Sequence, residues 1–445
     1  MPSVHFIAIG GAAMHNLALE LHALNWQVSG SDDQIFDPAK SRLNAVGLLP
    51  ESEGWFPEKI HQGIEIVILG MHARENNPEL QKALELNIKV VSYPEFIYHH
   101  CQNQTRVVIA GSHGKTTITS MILHVLAYSG QKSDYLVGAQ LQGFNRMVKL
   151  QGDSEFMVIE GDEYLSSALD RRPKFLWYKP NIALISGIAW DHANVFPTEE
   201  LYQKQFADFV DSISPGGTLC YCTEDKALTS LVNNSSNTIR RLPYGTPAYI
   251  ESENLTLLKT PEGDLPLQIF GKHNMQNLEG ARLICNQLGV MDEAFYQAMM
   301  HFKGAQKRLE PLPGKKSGYR DFAHAPSKVK ATVEAVVEKH PNKKCIAVLE
   351  LHTFSSLNKD YLPQYAETLN ASPLALVYFN PMVLKQKGLP NLNETDLKAF
   401  FNHPQLLVFT DVKMLKEKAE LLWDEHSVLL LMSSGNFSGL EWNFD

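Results

Sequence analysis

The stretch Gly111-Ser112-His113-Gly114-Lys115-Thr116-Thr117 constrains the fold of this chain more than any other, because of what flanks it. After Arg106, residues 107–110 are apolar and mostly β-branched, as a buried parallel strand requires. Ile118, Met121, Ile122, Val125 and Leu126 then recur at helical spacing, which predicts a helix from residue 118 with one face in a core. A strand, a glycine turn and a helix N-terminus bring backbone N–H groups and the positive end of a helix dipole to one point. Such a point is a phosphate site. Lys115 is placed to reach the outer phosphates of a nucleotide, and the Thr116 hydroxyl to ligand the accompanying Mg²⁺. The loop is the shorter G-x-x-G-K-T-T form, since Ile109 stands where the longer pattern has its first glycine. Without a nucleotide, the same residues read as an αβ turn with an incidental lysine.

A chain of 445 residues is long enough for about three domains. No apolar run reaches the roughly 18 residues of a membrane helix, and no basic segment precedes an apolar one at the N-terminus. The expectation is a soluble, cytoplasmic protein without a membrane partner. A net charge of −9 offers no basic footprint for nucleic acid, so an anionic substrate must be met by local groups. The five cysteines are scattered and odd in number, which predicts reduced thiols. Cys220 and Cys222 lack the second pair that a zinc site needs.

Residues 4–9 read as a strand, Gly10-Gly11 as a tight turn, and Leu17, Leu21 and Leu24 as the core face of a helix. A second strand over 27–32 ends in Asp32. This is a dinucleotide-type βαβ unit with a nucleotide or nucleotide-sugar at the glycine turn. Ala8 and Ala13 stand where the fuller fingerprint has glycine, so a purely structural turn is the alternative. Strands over 64–69 and 89–92 complete the sheet, with Asn77-Pro78 opening a helix between them. His99, His100 and Cys101 fall in a polar interruption read as a linker, and the first domain boundary is placed after residue 104.

In the next segment a strand over 155–159 runs into Glu160, Asp162 and Glu163, and a strand over 181–185 leads to Asp191 and His192. The carboxyl ends of neighbouring parallel strands share a crevice, so Glu160 and His192 are expected to converge on the metal of a nucleotide. Asp162, Glu163 and Asp191 read equally well as solvated loop acids. Asn274 and Asn277 share a face where a helix over 278–288 begins, suited to a purine edge, unless Asn274 only caps that helix. A second boundary falls after residue 305. Strands ending near Asp321 and over 345–351, 374–379, 406–409 and 428–432 then alternate with helices in a third open α/β domain.

Taken in order, these motifs resemble the Mur ligases, the ATP-dependent enzymes that build the peptide stem of bacterial cell-wall precursors. The resemblance rests on Gly10-Gly11 with Gly30-Ser31-Asp32, the phosphate loop, Glu160 to Glu163, Asp191-His192, His273-Asn274 with Asn277, Arg308, and Asp321 to Pro326, and it spans essentially the whole chain. It implies an α/β protein of three domains: a Rossmann-like domain over 1–104 for a UDP-sugar, a central P-loop ATPase over 105–305, and a Rossmann-like domain over 306–445 for the incoming amine. It assigns Gly111, His113, Gly114, Lys115, Thr116 and Thr117 to the phosphates of ATP, and Thr116, Glu160 and His192 to Mg²⁺. Asn274 and Asn277 go to the adenine, Arg308 to the γ-phosphate from across a domain boundary, and Asp321 with His324 to the ribose region. Lys115, Glu160, His192 and Arg308 form the catalytic set. Gly10, Gly11, Ser31, Asp32, His72, Arg172 and His352 are assigned to the substrates, UDP-N-acetylmuramate and a peptide or amino acid. A monomer or homodimer is expected.

Phe206 stands where several members carry a carbamylated lysine, and Arg320 replaces an acid often found beside Asp321. Two branches of the family compete. Residues 158–164, 170–175, 190–196 and 432–439 resemble the branch that joins the preformed tripeptide L-alanyl-γ-D-glutamyl-meso-diaminopimelate to UDP-N-acetylmuramate, and this is the reading adopted. Residues 352–355 are closer to the branch that adds L-alanine. A nucleotide-gated binding protein without ligase activity is the alternative from another class. A folate or cyanophycin-type ligase is a further enzymatic one, against which Gly10 and the Gly30-Ser31-Asp32 strand end favour a UDP-sugar.

Overall fold

The computed structural model describes residues 1–138, 144, 146–253 and 255–442. Strands Ser3–Ile7, Gln27–Ser31, Ile66–Leu69 and Lys89–Ser92 form a parallel sheet in the order second, first, third, fourth. The third strand starts later than residue 64 because the Ile64 N–H turns back to the His61 carbonyl. Asn77 caps helix Pro78–Glu85 by accepting from the N–H groups of Glu79 and Leu80. Helix Tyr93–Cys101 opens with a reciprocal Ser92–Glu95 capping box. His99, His100 and Cys101 form its last turn, which corrects their reading as a polar linker. Phe96, Ile97 and Cys101 lie on its buried face, and that apolar spacing carries the helix through.

The second sheet has seven strands, in the order Arg240–Tyr244, Thr218–Cys222, Ile182–Ile185, Thr105–Ala110, Phe156–Glu160, Asp134–Leu136 and Val148–Lys149. All neighbours run parallel except at the last edge. The strand that leads into the phosphate loop is therefore central. One neighbour ends at Glu160 and the other leads to His192. A three-stranded antiparallel sheet, Tyr249–Glu251, Thr256–Thr260 and Gly263–Leu267, follows it. Its strands are short and its alternation is broken by Pro266, so the sequence pattern does not announce it.

The third sheet orders Glu310–Pro311, Gly318–Asp321, Ser427–Met432, Lys344–Leu351, Leu374–Phe379 and Leu406–Phe409, parallel except at its first edge. Its central strands Ser427–Met432, Lys344–Leu351 and Leu374–Phe379 are mostly apolar because helices cover both faces. A single apolar core joins the first sheet to the second, with Phe6, Tyr93 and Phe96 in the same cluster as Phe175, Tyr178 and Phe206. The third sheet has its own core, which Trp190 and Ala193 reach from the second. All five cysteines are free and buried. Among the described residues, no helix is long and apolar enough to cross a membrane.

Candidate active site

The phosphate loop lies on the floor of a cleft of about 960 Å³. Gly111 and Gly114 have φ of +129° and +76°, and a side chain at the second would collide with Asn277 Oδ1. Gly114 is the N-cap of helix Lys115–Tyr128, which starts earlier than residue 118. Lys115, Thr116 and Thr117 are thus its first turn, where N–H groups lack intrahelical partners and face the cleft.

Around that turn Glu160, Glu163 and Asp191 are buried, while Asp162 is half-buried. Glu160 accepts from the Thr116 hydroxyl and from the Gly138 N–H, each at 2.7 Å. Burial and the nearby Asp162 push its carboxyl up. Glu163 pairs with Lys115 Nζ at 2.7 Å, accepts from the Tyr202 hydroxyl at 3.0 Å and lies 3.3 Å from His192 Nε2. Burial opposes the charge of Glu163, yet Lys115 and His192 outweigh it and hold the group well below the usual carboxylate range. The same contest leaves Lys115 raised to about 12: burial lowers it and Glu163 more than compensates. Asp191, also buried, accepts from the His192 N–H at 2.7 Å and pairs with Lys328 at 3.1 Å. His192 itself has φ of +55°, in the left-handed region.

Asn274 and Asn277 line the wall facing the loop, on helix Lys272–Gln287, which starts earlier than residue 278. Asn274 is not the cap: Gly271 is, and the Asn274 amide donates to the Phe270 carbonyl at 2.9 Å. The third domain closes the cleft with Arg308, Asp321, His324, Lys328 and His352. Asp321 accepts from the N–H groups of Leu309 and Ala323 at 2.7 and 2.6 Å, so it shapes the turn that carries Arg308. Lys307 and Leu309, on either side of Arg308, both have positive φ. The Arg308 guanidinium lies 4.6 Å from the Phe322 ring centroid, donates to the Lys307 carbonyl, and makes no ion pair among the described residues. Burial lowers its pKa, and Asp321 and Glu160 pull the other way.

Thirteen of the residues singled out from sequence line this cleft: His113, Gly114, Lys115, Thr116, Thr117, Glu160, His192, Asn274, Asn277, Arg308, Asp321, His324 and His352. Gly111 lies just behind the loop. Gly10, Gly11, Ser31 and Asp32 cluster elsewhere, at the carboxyl end of the first sheet, where the Gly10 N–H donates to Asp32 at 2.7 Å. Burial and Asp33 raise the Asp32 carboxyl to about 6 against the opposing bond from Gly10. His72 is exposed on the same domain. Arg172 is not brought to the cleft: Asp170 engages its guanidinium at 2.9 and 3.0 Å, and its face lies on Trp177. Sequence reasoning missed Lys328 and Tyr202, and left Glu163 and Asp191 undecided. Glu163 had one local signal, its place three residues after Glu160 on the same strand end.

Two imidazoles, His324 buried and His113 partly buried in the cleft wall, make this site sensitive to acid. Burial, helped by the Lys328 charge, pushes both His113 and His324 down to about 4. An unfolded histidine titrates near about 6.5, so between these values the unfolded chain takes up protons that the folded chain refuses. Their contribution is full above about 6.5 and is lost as the pH falls to about 4, at about 1.4 kcal/mol per pH unit for each ring. Urea unfolding at pH 7 and pH 5 is expected to show this loss, and the variant His113→Gln/His324→Gln a shallower one. An unchanged slope in the variant would contradict the assignment.

Comparison with known proteins bears on what such a cleft does. The family model of the Mur ligase middle domain matches residues 109–285, and that of the Mur ligase family catalytic domain matches residues 3–105. The UDP-N-acetylmuramate–L-alanine ligase of Lactobacillus gasseri is 30% identical over 454 residues, covering 98% of this chain and 97% of its own length. The UDP-N-acetylmuramate–L-alanyl-γ-D-glutamyl-meso-2,6-diaminoheptandioate ligase of Haemophilus influenzae is 27% identical over 455 residues, with 99% and 98% covered. In fold, the solved UDP-N-acetylmuramate–alanine ligase of Thermotoga maritima superposes with a TM-score of 0.71 at 17% identity, covering 99% of this chain and 97% of that one. The chain has N-terminal, middle and C-terminal α/β domains, belongs to the Mur ligase family, and is an ATP-dependent ligase that forms C–N bonds.

Proposed function

We propose that this ligase activates the lactyl carboxylate of UDP-N-acetylmuramate as an acyl phosphate and joins it to the amine of L-alanyl-γ-D-glutamyl-meso-diaminopimelate. In this reading residues 1–104 hold the UDP-sugar around Gly10, Gly11, Ser31 and Asp32, residues 105–305 hold ATP, and residues 306–445 receive the peptide. The observation that carries it is one cleft in which a phosphate loop, a buried carboxylate and an arginine, the last two without an ion pair among the described residues, converge from separate segments.

The residues present suit Mg²⁺. Glu160 is buried beside a hydroxyl and a backbone N–H, and among the described residues no basic side chain is bonded to it, so it is a negative group in need of a cation. With Thr116 it supplies hard oxygen ligands, and His192 stands as the further ligand. When bound, the metal neutralises phosphate charge and polarises the γ-phosphoryl group.

The chain's own groups do the rest. Carboxylate attack on the γ-phosphorus, which breaks its bond to the β-phosphate and releases ADP, brings two anions together, so the barrier is largely electrostatic. Glu163 keeps Lys115 charged and oriented for the outer phosphates, and the N–H groups of residues 114–117 receive them. Arg308, presented by its strained turn, meets the charge developing on the transferred group. Asn274 and Asn277 face the adenine. The amine then attacks the acyl phosphate and phosphate leaves. Walls from the third domain, including His352, keep water from the activated carbonyl.

A second reading takes L-alanine as the amine. Residues 352–355 favour it, and among the curated relatives the L-alanine ligases outnumber the tripeptide ligases. Phosphate release in the presence of ATP, Mg²⁺ and UDP-N-acetylmuramate separates the two. Stimulation by the tripeptide is expected. Stimulation by L-alanine alone selects the second reading, and stimulation by neither amine removes both.

A further inference from the structure

The segment 186–193 runs from the phosphate loop to the third domain. At its start Ser186 Oγ donates to the His113 carbonyl, and the Ile188 N–H donates to Asp225 at 2.7 Å. At its end the anchors belong to the third domain. The Tyr361 hydroxyl donates to the Trp190 carbonyl at 2.7 Å, Lys328 pairs with Asp191 at 3.1 Å, and the Ala193 N–H donates to Ser355 Oγ at 3.0 Å. His192 sits inside this cluster with its strained φ, and its own N–H is held by the Asp191 carboxylate. A residue keeps such a conformation only when its surroundings over-determine it. Here three of the surrounding contacts come from another domain.

One of the three is charged and largely shielded: the Lys328 and Asp191 side chains are 23% and 6% exposed. Besides Lys328, the titratable groups that face Asp191 are His192, His324, Tyr202, Tyr361 and Tyr365, and burial holds His324 and the three phenols neutral. Lys328 is therefore the fixed counter-charge of an acid that in turn fixes the His192 backbone. We infer that Lys328 is a positioning residue: by pairing with Asp191 it holds the His192 turn, so that docking of the third domain completes the nucleotide site of the second. This rests on the function proposed above. It implies that acyl-phosphate formation depends on the third domain although the amine takes no part in that step.

The test compares wild type with Lys328→Met, Lys328→Arg, Asp191→Asn and the double variant Asp191→Asn/Lys328→Met. Mn²⁺ binding is followed by electron paramagnetic resonance in the presence of a non-hydrolysable ATP analogue, and kcat and KM are measured alongside. Lys328→Met is expected to weaken Mn²⁺ binding and lower kcat by about 10–100-fold, as loss of a partner behind a metal ligand does, with KM for UDP-N-acetylmuramate unchanged. Lys328→Arg should restore most of both, and the double variant should be no worse than the poorer single one. Wild-type Mn²⁺ binding in Lys328→Met, or losses that multiply in the double variant, would overturn the inference. Should Lys328→Met fail to fold, Ser355→Ala and Tyr361→Phe remove the two neutral anchors and are expected to shift Mn²⁺ binding in the same direction; wild-type binding in both would count against it. A wild-type protein that releases no phosphate with either amine defeats the functional reading, while the Mn²⁺ titration still reports on Lys328.

Discussion

Lys115→Ala is expected to lower ligation by at least about 10²–10³-fold, the scale of losing one charge-stabilising group in a transition state, while binding of UDP-N-acetylmuramate stays within a few-fold. The lysine lies in the cleft, and the residues proposed for the sugar lie on another sheet. One complication follows from the geometry. Glu163 is 1% exposed and Lys115 is its cationic partner at 2.7 Å. Removing one member of a buried pair costs about 3–5 kcal/mol, so the single variant is expected to unfold at lower urea. Lys115→Ala/Glu163→Gln removes the stranded charge. It should regain stability without regaining activity, and that pattern separates the chemical role from the structural one. Calorimetric titration with the UDP-sugar, beside urea unfolding and turnover, makes the comparison. Loss of sugar binding in the refolded double variant would show that the two domains' tasks are not separable.

Arg308→Ala is expected to act differently. An arginine that meets transferred phosphoryl charge is worth about 10³–10⁵ in kcat, and ATP affinity should remain within a few-fold. Folding should hardly change, because the guanidinium makes no ion pair among the described residues and bonds only to the neighbouring Lys307 carbonyl. Steady-state kinetics with an independent ATP-binding measurement decide the matter. Normal kcat with weakened ATP binding would assign Arg308 to ground-state affinity instead.

The first prediction rests on a residue that local sequence made visible, whereas Arg308 entered only through the family resemblance. Lys115 was legible because a strand, two glycines and a helix pattern surround it, and each signal is written within a few residues of the next. Glu160 and His192 were legible because they follow strands, and parallel topology sends such positions to one crevice. What escaped depends on distance along the chain. Nothing near Glu163 reveals that Tyr202, 39 residues on, fills the space above it and turns a loop acid into a buried one. Asp191 meets Lys328 across 137 residues. The helix starts at Lys115 and Lys272 were set late because glycine N-caps leave no side-chain signature. His99 to Cys101 were misread because polar side chains on the exposed face hid a buried one.

The unbroken apolar core between the first two sheets has a consequence for how a catalyst of this build diversifies. In the proposed function the sugar carboxylate and the nucleotide are carried on that shared frame, so the gap between them is fixed when the protein folds. The third sheet has a separate core and meets the frame through a few apolar side chains, such as Trp190 and Ala193, and through polar contacts such as Lys339 with Glu251. Changes in that module away from Arg308 and Lys328 leave the energy-coupling machinery intact. The identity of the amine is thus the most replaceable part of the reaction, and the cost of exchanging one acceptor for another is confined to a single exchangeable piece.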